Sequence, residues 1–530
     1  MTTEAVDAVV VGSGPNGLVA AIALADAGWQ VLVVEAQDRL GGAVASGEVT
    51  APGYTTDLFS AFYPLAAASP IIRDLDLRAH GLRWAHAPDV LAHPLPDGSC
   101  AVLSTDPTRT AANLETFAPG DGDAWLAMVA HWNRVGDGLL DALFTPFPPL
   151  RPAAGLLRRI GPAGVLELAR LAALPVQRLA KESFAGAGGG LLLSGNALHA
   201  DIPPVAAGSG LFGWLLSMLG QDVGFPVPQG GAGRLADALA GRLVAAGGAT
   251  RTGTPVTSIR VVNGRAAGVE CADGTRISAR RAVLADVSAP ALYRDLVAAR
   301  HLPPGLPDAL DHFEWDHATL KVNWALRSPI PWRAPGVRGA GTVHLGADGD
   351  GMIDFAADLA VGRMPERPFL LLGQMSTADP TRSPAGTESA WAYTHVPRNA
   401  TAECLDRQVQ RVTDTVERFA PGFRDLVLAR AVQLPADLQA ADANLVGGAT
   451  NGGTAAIHQQ LVFRPVPGLG RPETPIPGLY LASAAAHPGG GVHGACGWNA
   501  ARAALATDGW FGGLRRRLSR TAWSRLLPAG

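Results

Sequence analysis

The chain has 530 residues, of which 48% are hydrophobic and 17% are charged, and its formal net charge is −3. This length suits two intertwined domains with large cores, and the composition excludes an intrinsically disordered chain. The near-neutral charge argues against nucleic acid as the main partner, because phosphate binding needs a clustered basic surface.

The cysteines and the apolar segments bear on the location of the protein. The four cysteines are scattered and form no CxxC pair, which argues against a disulfide framework, a zinc site and a thiol–disulfide redox centre. The amino terminus carries two acids and no basic residue, unlike a signal peptide, and no apolar run is long enough to span a bilayer. We therefore expect a cytoplasmic protein without a metal site.

The chain begins with a predicted strand, turn, helix and second strand. Residues 6–11 are a β-branched run typical of a buried parallel strand, residues 18–25 are small and apolar as in a packed helix, and residues 31–34 predict the second strand. The turn between the first strand and the helix has the spacing GxGxxG. This order indicates a βαβ dinucleotide-binding unit.

Each residue of this unit has a physical task. Gly12 permits the tight turn, Gly14 lets the backbone approach a pyrophosphate, and Gly17 lets the helix and the strand pack closely. The amino terminus of the helix adds N–H groups and positive potential for the phosphates. Glu35 ends the second strand, where it can accept hydrogen bonds from the adenosine ribose, and its charge argues against NADP.

The stretch after Glu35 distinguishes FAD from NAD. Arg39 can neutralise phosphate charge, and Gly41 and Gly42 let the chain lie flat against a dinucleotide. Dehydrogenases that use NAD alone do not generally need this second contact, so we predict FAD as the cofactor. A second GxGxxG, at residues 208–213, follows no strand, and we interpret it as a glycine-rich loop that enters a core helix.

The middle of the chain predicts a discontinuous cofactor domain. Asn263 and Gly264 join two strand-like runs as a hairpin, and residues 282–286 predict a return to the parallel sheet. The predicted fold is α/β, with a Rossmann-like FAD-binding domain interrupted by an inserted substrate domain of mixed sheet and helices. We assign residues 1–95, 225–290 and 470–510 to the FAD-binding domain, residues 96–224 and 291–469 to the substrate domain with a helical lid, and residues 511–530 to a basic amphipathic tail.

A second glycine-rich turn, near the end of the chain, predicts the flavin half of the site. A strand-like run ends at Ser483, and a loop with Gly490, Gly491, Val492 and Gly494 leads into a helix of small residues. The amino terminus of that helix can stabilise negative charge on the reduced flavin at N1 and O2.

Several motifs give the chain a nearly end-to-end resemblance to a known family. They are VVVGSGPNGLVAA, SGNALHADIPP, WAYTHVP, LVFRPVPG and HPGGGVHGACGWNAA. The chain resembles the phytoene desaturase-like flavoproteins of the amine oxidase superfamily, and among them the bacterial relatives of pyridine nucleotide-disulfide oxidoreductase domain-containing protein 2. The resemblance implies that Val256 contacts adenine through its backbone and that residues 490–494 lie by the flavin ring. It also implies a set of ADP-binding residues: Gly12, Gly14, Gly17, Glu35, Arg39, Gly41 and Gly42.

The family resemblance also bears on the substrate. Its enzymes include desaturases and isomerases of long polyene lipids, which implies a small-molecule, lipophilic substrate. The segment before LVFRPVPG departs from the pattern, since relatives often have a histidine near the position of Gly452 and an aspartate near His458. If those groups touch the substrate, the substrate or the chemistry of this protein differs.

Lys321, His493 and His458 are the candidates for chemistry beside the flavin. Lys321 lies in an alternating, strand-like run, and amine oxidases of the superfamily have a lysine in a comparable strand that is hydrogen-bonded through water to flavin N5. A buried lysine there has a lowered pKa, whereas a lysine on an edge strand reaches solvent. His493 lies within the predicted flavin loop, and His458 lies in the segment that departs from the relatives.

Two basic, leucine-rich segments raise the question of peripheral membrane contact at the inner face. Residues 150–179 carry five arginines between leucine-rich turns, and we favour a lid packed on the same protein over an interfacial helix. For residues 511–530 both interpretations stay open.

Together these features predict an FAD-dependent oxidoreductase. It would oxidise or desaturate an organic, apolar substrate by hydride transfer to flavin N5, and an unidentified external acceptor would reoxidise the flavin. The alternatives are a flavin amine oxidase that uses Lys321, a redox-neutral FAD-dependent isomerase, and a flavin-holding interaction protein without turnover. Release of hydrogen peroxide with amines would identify the first, and bound FAD that no substrate reduces would identify the last.

Overall fold

Strands and α-helices alternate along much of the computed structural model, which describes residues 4–468 and 470–509. The strands are β1 (Glu4–Val11), β2 (Val31–Val34), β3 (Ser46–Gly47), β4 (Thr56–Asp57), β5 (Trp84–Ala85), β6 (Asp89–Pro94), β7 (Cys100–Leu103), β8 (Val227–Pro228), β9 (Ala249–Arg251), β10 (Val256–Val262), β11 (Arg265–Cys271), β12 (Arg276–Ala285), β13 (Ala318–Leu326), β14 (Ala340–Leu345), β15 (Leu370–Gln374), β16 (Glu388–Val396), β17 (Val427–Gln433) and β18 (Leu479–Leu481). The α-helices are α1 (Pro15–Asp26), α2 (Pro64–Ala68), α3 (Pro70–Asp74), α4 (Pro107–Glu115), α5 (Asp121–Phe144), α6 (Leu150–Ala173), α7 (Val176–Ser183), α8 (Ala187–His199), α9 (Ser209–Val223), α10 (Gly233–Ala245), α11 (Gly305–Asp311), α12 (Gly349–Ala360), α13 (Met375–Ala378), α14 (Ala402–Phe419), α15 (Phe423–Leu426), α16 (Pro435–Ala441) and α17 (Ala495–Asp508).

One seven-stranded sheet carries the predicted cofactor-binding motifs. Its order is β10-β11-β12-β1-β2-β9, and β18 pairs with β12. The strands β18, β12, β1, β2 and β9 pair in parallel, whereas β10 and β11 form an antiparallel extension. The carboxyl ends of β1, β2 and β12 therefore meet at one edge of the sheet, where ligands bind in such folds. The predicted βαβ unit and Rossmann-like α/β fold are confirmed.

Helix α1 consists of small and apolar residues because it is packed on several sides. Leu18, Ile22 and Leu24 are fully buried, and the helix contacts α10 and α17. Gly497 of α17 lies so close to α1 that a Cβ atom there would be 1.8 Å from the main-chain oxygen of Asn16. Glycine permits this approach. The close contact brings together the two glycine-rich turns from opposite ends of the chain.

Two local predictions are confirmed. The hairpin between β10 and β11 turns at Asn263 and Gly264, whose φ values are 49° and 71°, as a two-residue type I′ turn requires. The second GxGxxG does not follow a strand, and its glycines belong to the start of the buried helix α9.

A second seven-stranded sheet contains the strand that carries the candidate residue Lys321. Its order is β17-β13-β16-β15-β14-β6-β7, with antiparallel neighbours except for the parallel pair β14 and β6. Strand β13 is buried along its whole length and lies between β16 and β17. The predicted segment 1–95 thus contributes β6 to this second sheet. The division into an FAD-binding and a substrate domain stays a prediction.

The basic segment 150–179 forms α6 and the start of α7. Helix α6 bends at Gly161, which precedes Pro162, and it packs against α5 and α9. Its other side exposes apolar side chains, with Leu150 and Leu166 72% and 73% exposed. The role of this segment as a lid stays a prediction. No helix among residues 4–468 and 470–509 is long and apolar enough to cross a membrane, and the predicted tail lies outside these residues.

Candidate active site

A cavity of about 620 Å³ is lined by residues of both large sheets. Its volume is within the range of about 300–1,000 Å³ that ligand sites have. The predicted FAD-binding residues on its wall are Gly12, Gly14, Glu35, Arg39, Gly42, Val256, Ser483, Gly490, Gly491 and Val492. The predicted residues Gly17, Gly41 and Gly494 lie behind this wall. Sequence segments that are more than four hundred residues apart thus meet at one cavity.

The turn between β1 and α1 leaves no room for side chains. A Cβ atom on Gly17 would lie 2.3 Å from the main-chain oxygen of Gly12, and one on Gly14 would lie 2.7 Å from Oδ2 of Asp286. Gly12 has φ +95°, in the left-handed region that favours glycine. Helix α1 then begins at Pro15 without a side-chain cap, which is the arrangement that suits an anion at a helix amino terminus.

Glu35 and the DRLGG stretch lie beside this turn. Oε2 of Glu35 accepts hydrogen bonds from the main-chain N (2.8 Å) and the hydroxyl (2.7 Å) of Ser13. A guanidinium nitrogen of Arg39 donates to the main-chain oxygen of Gly42 at 2.9 Å. A Cβ atom on Gly42 would lie 3.2 Å from Cα of Gly14, so the two predicted ADP-binding segments are in contact.

The loop before α17 also lines the cavity. Gly494, with φ 73°, is the N-cap of α17, and the cap makes no side-chain hydrogen bond. A Cβ atom on Gly494 would lie 3.0 Å from a methyl group of Val19 in α1. The predicted helix amino terminus near the flavin loop is therefore present and packed against the first helix.

Asp286 is a cavity residue that the sequence analysis placed at a strand end but gave no role. It follows β12, and its Oδ2 accepts a hydrogen bond from the main-chain N of Gly17 at 2.8 Å. Burial raises the pKa of Asp286 to about 8, and the nearby carboxylates of Asp442 and Glu35 add to the shift. The signal that could have revealed it is its position at the end of a strand parallel to β1.

Lys321 is buried on an internal strand, so the alternative of an edge-strand lysine is wrong. Only 2% of the residue is exposed, and it lines the cavity. Nζ donates to the main-chain oxygens of Asp57 and, at 3.3 Å, Phe59, and it lies 5.0 Å from the centre of the Trp391 ring. Burial lowers the pKa of Lys321 to about 7, although the charge of Asp57 opposes the shift.

The titration of Lys321 predicts a pH-dependent stability. The unfolded chain, with a lysine pKa of 10.5, binds more protons than the folded chain between about pH 7 and that value. The free energy of unfolding should therefore rise with pH over this interval, by up to about 1.4 kcal/mol per pH unit. In Lys321→Met this rise should disappear, as urea titrations at several pH values would show. An unchanged slope would mean that Lys321 does not titrate in this range.

The two predicted catalytic histidines have different surroundings. His493 is buried and lines the cavity, and its Nδ1 accepts a hydrogen bond from the main-chain N of Ala495 at 3.0 Å. Burial lowers the pKa of His493 to about 4, so the ring is neutral. The prediction that His458 lies at the site is wrong. Its side chain is 62% exposed, and its Nε2 lies 2.8 Å from Oε2 of Glu314 on the surface. The short 3-10 turn that carries His458 points it to solvent, and the structure does not bring it to the cavity.

Comparison with known proteins identifies the family. The model of the family "Flavin containing amine oxidoreductase" matches residues 16–505 of this chain. The chain belongs to this family. It is an FAD-dependent oxidoreductase.

Individual relatives cover nearly the whole of this flavin-containing amine oxidoreductase. Pyridine nucleotide-disulfide oxidoreductase domain-containing protein 2 of Rattus norvegicus is 30% identical over 93% of this chain and 92% of its own length. A neurosporene-forming phytoene desaturase of Rhodobacter capsulatus is 25% identical over 92% and 91%. The structure of putrescine oxidase bound to putrescine has a TM-score of 0.60 at 15% identity, covering 95% of this chain and 99% of that one, and it supports the fold.

The residues on the cavity wall fit FAD. Cβ atoms on the glycines of the first turn would overlap Asp286 or the main-chain oxygen of Gly12, so this turn presents backbone to the cavity, and a strand-end carboxylate and an arginine lie beside it. The side-chain oxygen of Asn16, in the first turn of α1, is buried without a partner. Such a set of backbone and side-chain groups is suited to a dinucleotide.

Proposed function

We propose that the protein oxidises or desaturates an apolar organic substrate. The observation that carries this proposal is the distribution of charge along the cavity wall. One end of the wall is apolar and aromatic; its residues are Phe62, Leu143, Phe212, Leu215, Leu216, Phe225, Trp391 and Tyr393. The carboxyl groups on the described wall are those of Glu35, Asp286, Asp295 and Asp442.

All of these carboxylates belong to the end beside the first sheet. Glu35 follows β2 and Asp286 follows β12, and Oδ2 of Asp442 lies 3.3 Å from a Cβ position on Gly42. Asp295 belongs to a π-helical turn, Ala291–Leu296, that contacts β10. A cationic substrate at the apolar end would lose its hydration without gaining a carboxylate, which costs free energy. A neutral, apolar molecule meets no such cost.

In this proposal the residues on the cavity wall bind FAD. The turn of Gly12 and Gly14 would hold the pyrophosphate, Glu35 the ribose and Val256 the adenine. Residues 490–492 and Ser483 would lie by the isoalloxazine ring. When bound, FAD supplies a hydride acceptor at N5, and an external acceptor must reoxidise it.

The residues of the chain position the substrate and exclude water. Trp391 and Tyr393 are stacked, with ring centres 5.9 Å apart and planes 19° from parallel, and form a flat wall against which an apolar chain can lie. Lys321 beside them can hold or release a proton at Nζ near neutral pH, because its pKa is about 7. Two relatives bear names that support an apolar substrate: the phytoene desaturase and a component of the limonene dehydrogenase of Castellaniella defragrans.

An amine oxidase is the second candidate, favoured by the stacked Trp391 and Tyr393 beside Lys321. It requires the apolar end to accept an amine in its neutral form, since no carboxylate lines that end of the described wall. Hydrogen peroxide release with amines, but not with alkenes, would favour this candidate.

The first experiment is an absorption spectrum of the purified protein, followed by acid precipitation and identification of the released chromophore. Released FAD justifies anaerobic titrations in which unsaturated hydrocarbons, terpenes and primary amines are tested for bleaching of the flavin. Bleaching by the apolar compounds alone supports the proposal. Bleaching by amines alone contradicts it in favour of the second candidate.

Leu216→Glu tests whether the apolar end of the cavity binds the substrate. This change places a carboxylate in the apolar end, and we expect at least a tenfold loss in the rate of flavin reduction by an apolar substrate, with FAD still bound. Leu428→Glu is the control, because Leu428 is 51% exposed and lies on β17 away from the cavity wall. Equal rates in the two variants would show that the apolar end does not bind the substrate.

A further inference from the structure

Arg464, in the motif LVFRPVPG, is a buried cation bonded to main-chain oxygens. Its side chain is fully buried, and no carboxylate of the described residues forms an ion pair with it. The guanidinium donates to five main-chain oxygens, those of Thr454 (2.8 Å), Ala484 (2.9 Å), Asn451 (3.0 Å), Gly452 (3.1 Å) and Gly453 (3.3 Å). The carbonyl dipoles solvate the cation without neutralising it.

Arg464 lies directly behind the predicted flavin loop. A Cβ atom on Gly489 would be 3.3 Å from its guanidinium carbon. The adjacent Gly490 and Gly491 line the cavity, as do Asn451 and Gly452 among the residues whose oxygens Arg464 binds. The charge is thus separated from the cavity by one layer of backbone.

The groups around Arg464 do not supply a second charge in contact with it. His487 and His493 are neutral, since burial lowers the pKa of each to about 4. Burial raises the pKa of the Cys496 thiol to about 12. The carboxyl group of Asp316 acts on Arg464 with the opposite sign, and it accepts hydrogen bonds from the main-chain N of Thr450 and Asn451 on the other side of the loop. The pKa of Arg464 is lowered by burial to about 10, so the guanidinium stays charged near neutral pH.

A buried charge in a protein is ordinarily paired, because leaving it unpaired costs free energy. FAD gains negative charge when it takes up two electrons, and positive potential near N1 and O2 stabilises that charge. An uncompensated cation behind the loop at residues 489–491 is suited to this task.

We propose that Arg464 acts as a positioning residue that raises the reduction potential of the bound FAD. Its charge offsets the negative charge of the reduced cofactor. Its five hydrogen bonds tie the loop at residues 451–454 to Ala484, and its guanidinium packs against Gly489. The proposal rests on the flavin ring lying beside residues 490–492. It does not depend on the identity of the substrate.

The test measures the two-electron midpoint potential of FAD in the holoenzyme by xanthine oxidase-mediated reduction with a reference dye. Arg464→Gln removes the charge and should lower the ratio of reduced to oxidised FAD at least tenfold at a fixed potential, which is a fall of about 30 mV for a two-electron couple. Arg464→Lys keeps the charge with fewer hydrogen bonds and should retain most of the potential.

Asp316→Asn should shift the midpoint potential of FAD in the opposite direction. It replaces the carboxyl across the same loop by a neutral amide that keeps a side-chain oxygen as acceptor. Because burial raises the pKa of Asp316, the potential is measured over a pH series, and it should lie above that of the wild type wherever the wild-type carboxyl is ionised. Disorder of the loop alone would shift the potential in the same direction in Arg464→Gln and Asp316→Asn, and that result would overturn the proposal. So would equal falls in Arg464→Gln and Arg464→Lys.

The same samples also cover the case in which the Arg464 variants do not fold and the case in which the proposed function fails. If the Arg464 variants do not fold, Asp316→Asn decides alone, and an unchanged or lowered potential would contradict the proposal. If the potentials shift as expected but no apolar substrate reduces the flavin, the proposed function fails while the role of Arg464 stands.

Discussion

Replacement of Gly497 by alanine is expected to abolish FAD binding and to lower the free energy of unfolding by about 3 kcal/mol or more. The added Cβ would lie 1.8 Å from the main-chain oxygen of Asn16 and 2.6 Å from its carbonyl carbon. Both are backbone atoms in the first turn of α1, so no side-chain rotation relieves the overlap. Helices α17 and α1 would have to move apart, and with them the two turns that line the cavity.

The measurement compares thermal unfolding and FAD titration of the wild type and Gly497→Ala. The matched control is Gly155→Ala in α6, because Gly155 is exposed and a Cβ there has no atom within 4 Å. This second change should leave FAD binding unchanged and stabilise the protein by about 0.5–1 kcal/mol, since alanine is the better helix former. Normal FAD affinity in Gly497→Ala would show that the two helices are not in the contact described above.

The second large effect is expected for Asp286, whose ionisation should weaken FAD binding. The carboxyl lies under the glycine turn, and its pKa of about 8 keeps it mostly neutral at pH 7. Above about pH 8 it becomes a negative charge beside the proposed pyrophosphate site. The dissociation constant of FAD should then rise by up to about tenfold per pH unit. Asp286→Asn keeps the oxygen that accepts from Gly17 and should bind FAD with little dependence on pH.

The ionisation of Asp286 should also change the free energy of unfolding of the FAD-free protein. The folded chain holds a proton on Asp286 up to about pH 8, whereas the unfolded chain releases it near pH 3.8. The stabilisation from this group is complete below pH 3.8 and is lost as the pH rises towards 8, so the free energy of unfolding should fall over this interval. Asp286→Asn should lack that fall. A pH-independent FAD affinity in the wild type would mean that Asp286 does not face the bound dinucleotide.

Local patterns were enough to predict the parts of the site that depend on backbone conformation. A tight turn after a buried strand needs glycine whatever surrounds it, so Gly12 and Gly14 could be located from spacing. The same holds for Asn263 and Gly264, whose positive φ values a type I′ turn requires. The second glycine-rich turn, at residues 490–494, could be located from the same order of strand, glycine loop and small-residue helix, whereas Val256 came from the family resemblance alone.

The electrostatics of the site could not be predicted in this way. Lys321 has a lowered pKa because its strand lies between β16 and β17, and strand order is set by contacts distant in sequence. His458 is predicted at the site because it lies in the segment that departs from the relatives, yet its short turn directs it to Glu314 and solvent. Arg464 is part of the motif LVFRPVPG, but nothing in the motif indicates that its partners are carbonyl oxygens.

Short-range constraints on glycine, strand and helix are enough to predict the dinucleotide-binding unit, the cofactor and the fold class from the amino-acid sequence. Which charged side chains are buried, and which groups they face, follows from how distant segments pack in the folded protein. The ionisation of Asp286, Lys321 and Arg464 depends on desolvation and on neighbours from other segments, and both arise only when the two sheets and the two glycine-rich turns are packed together.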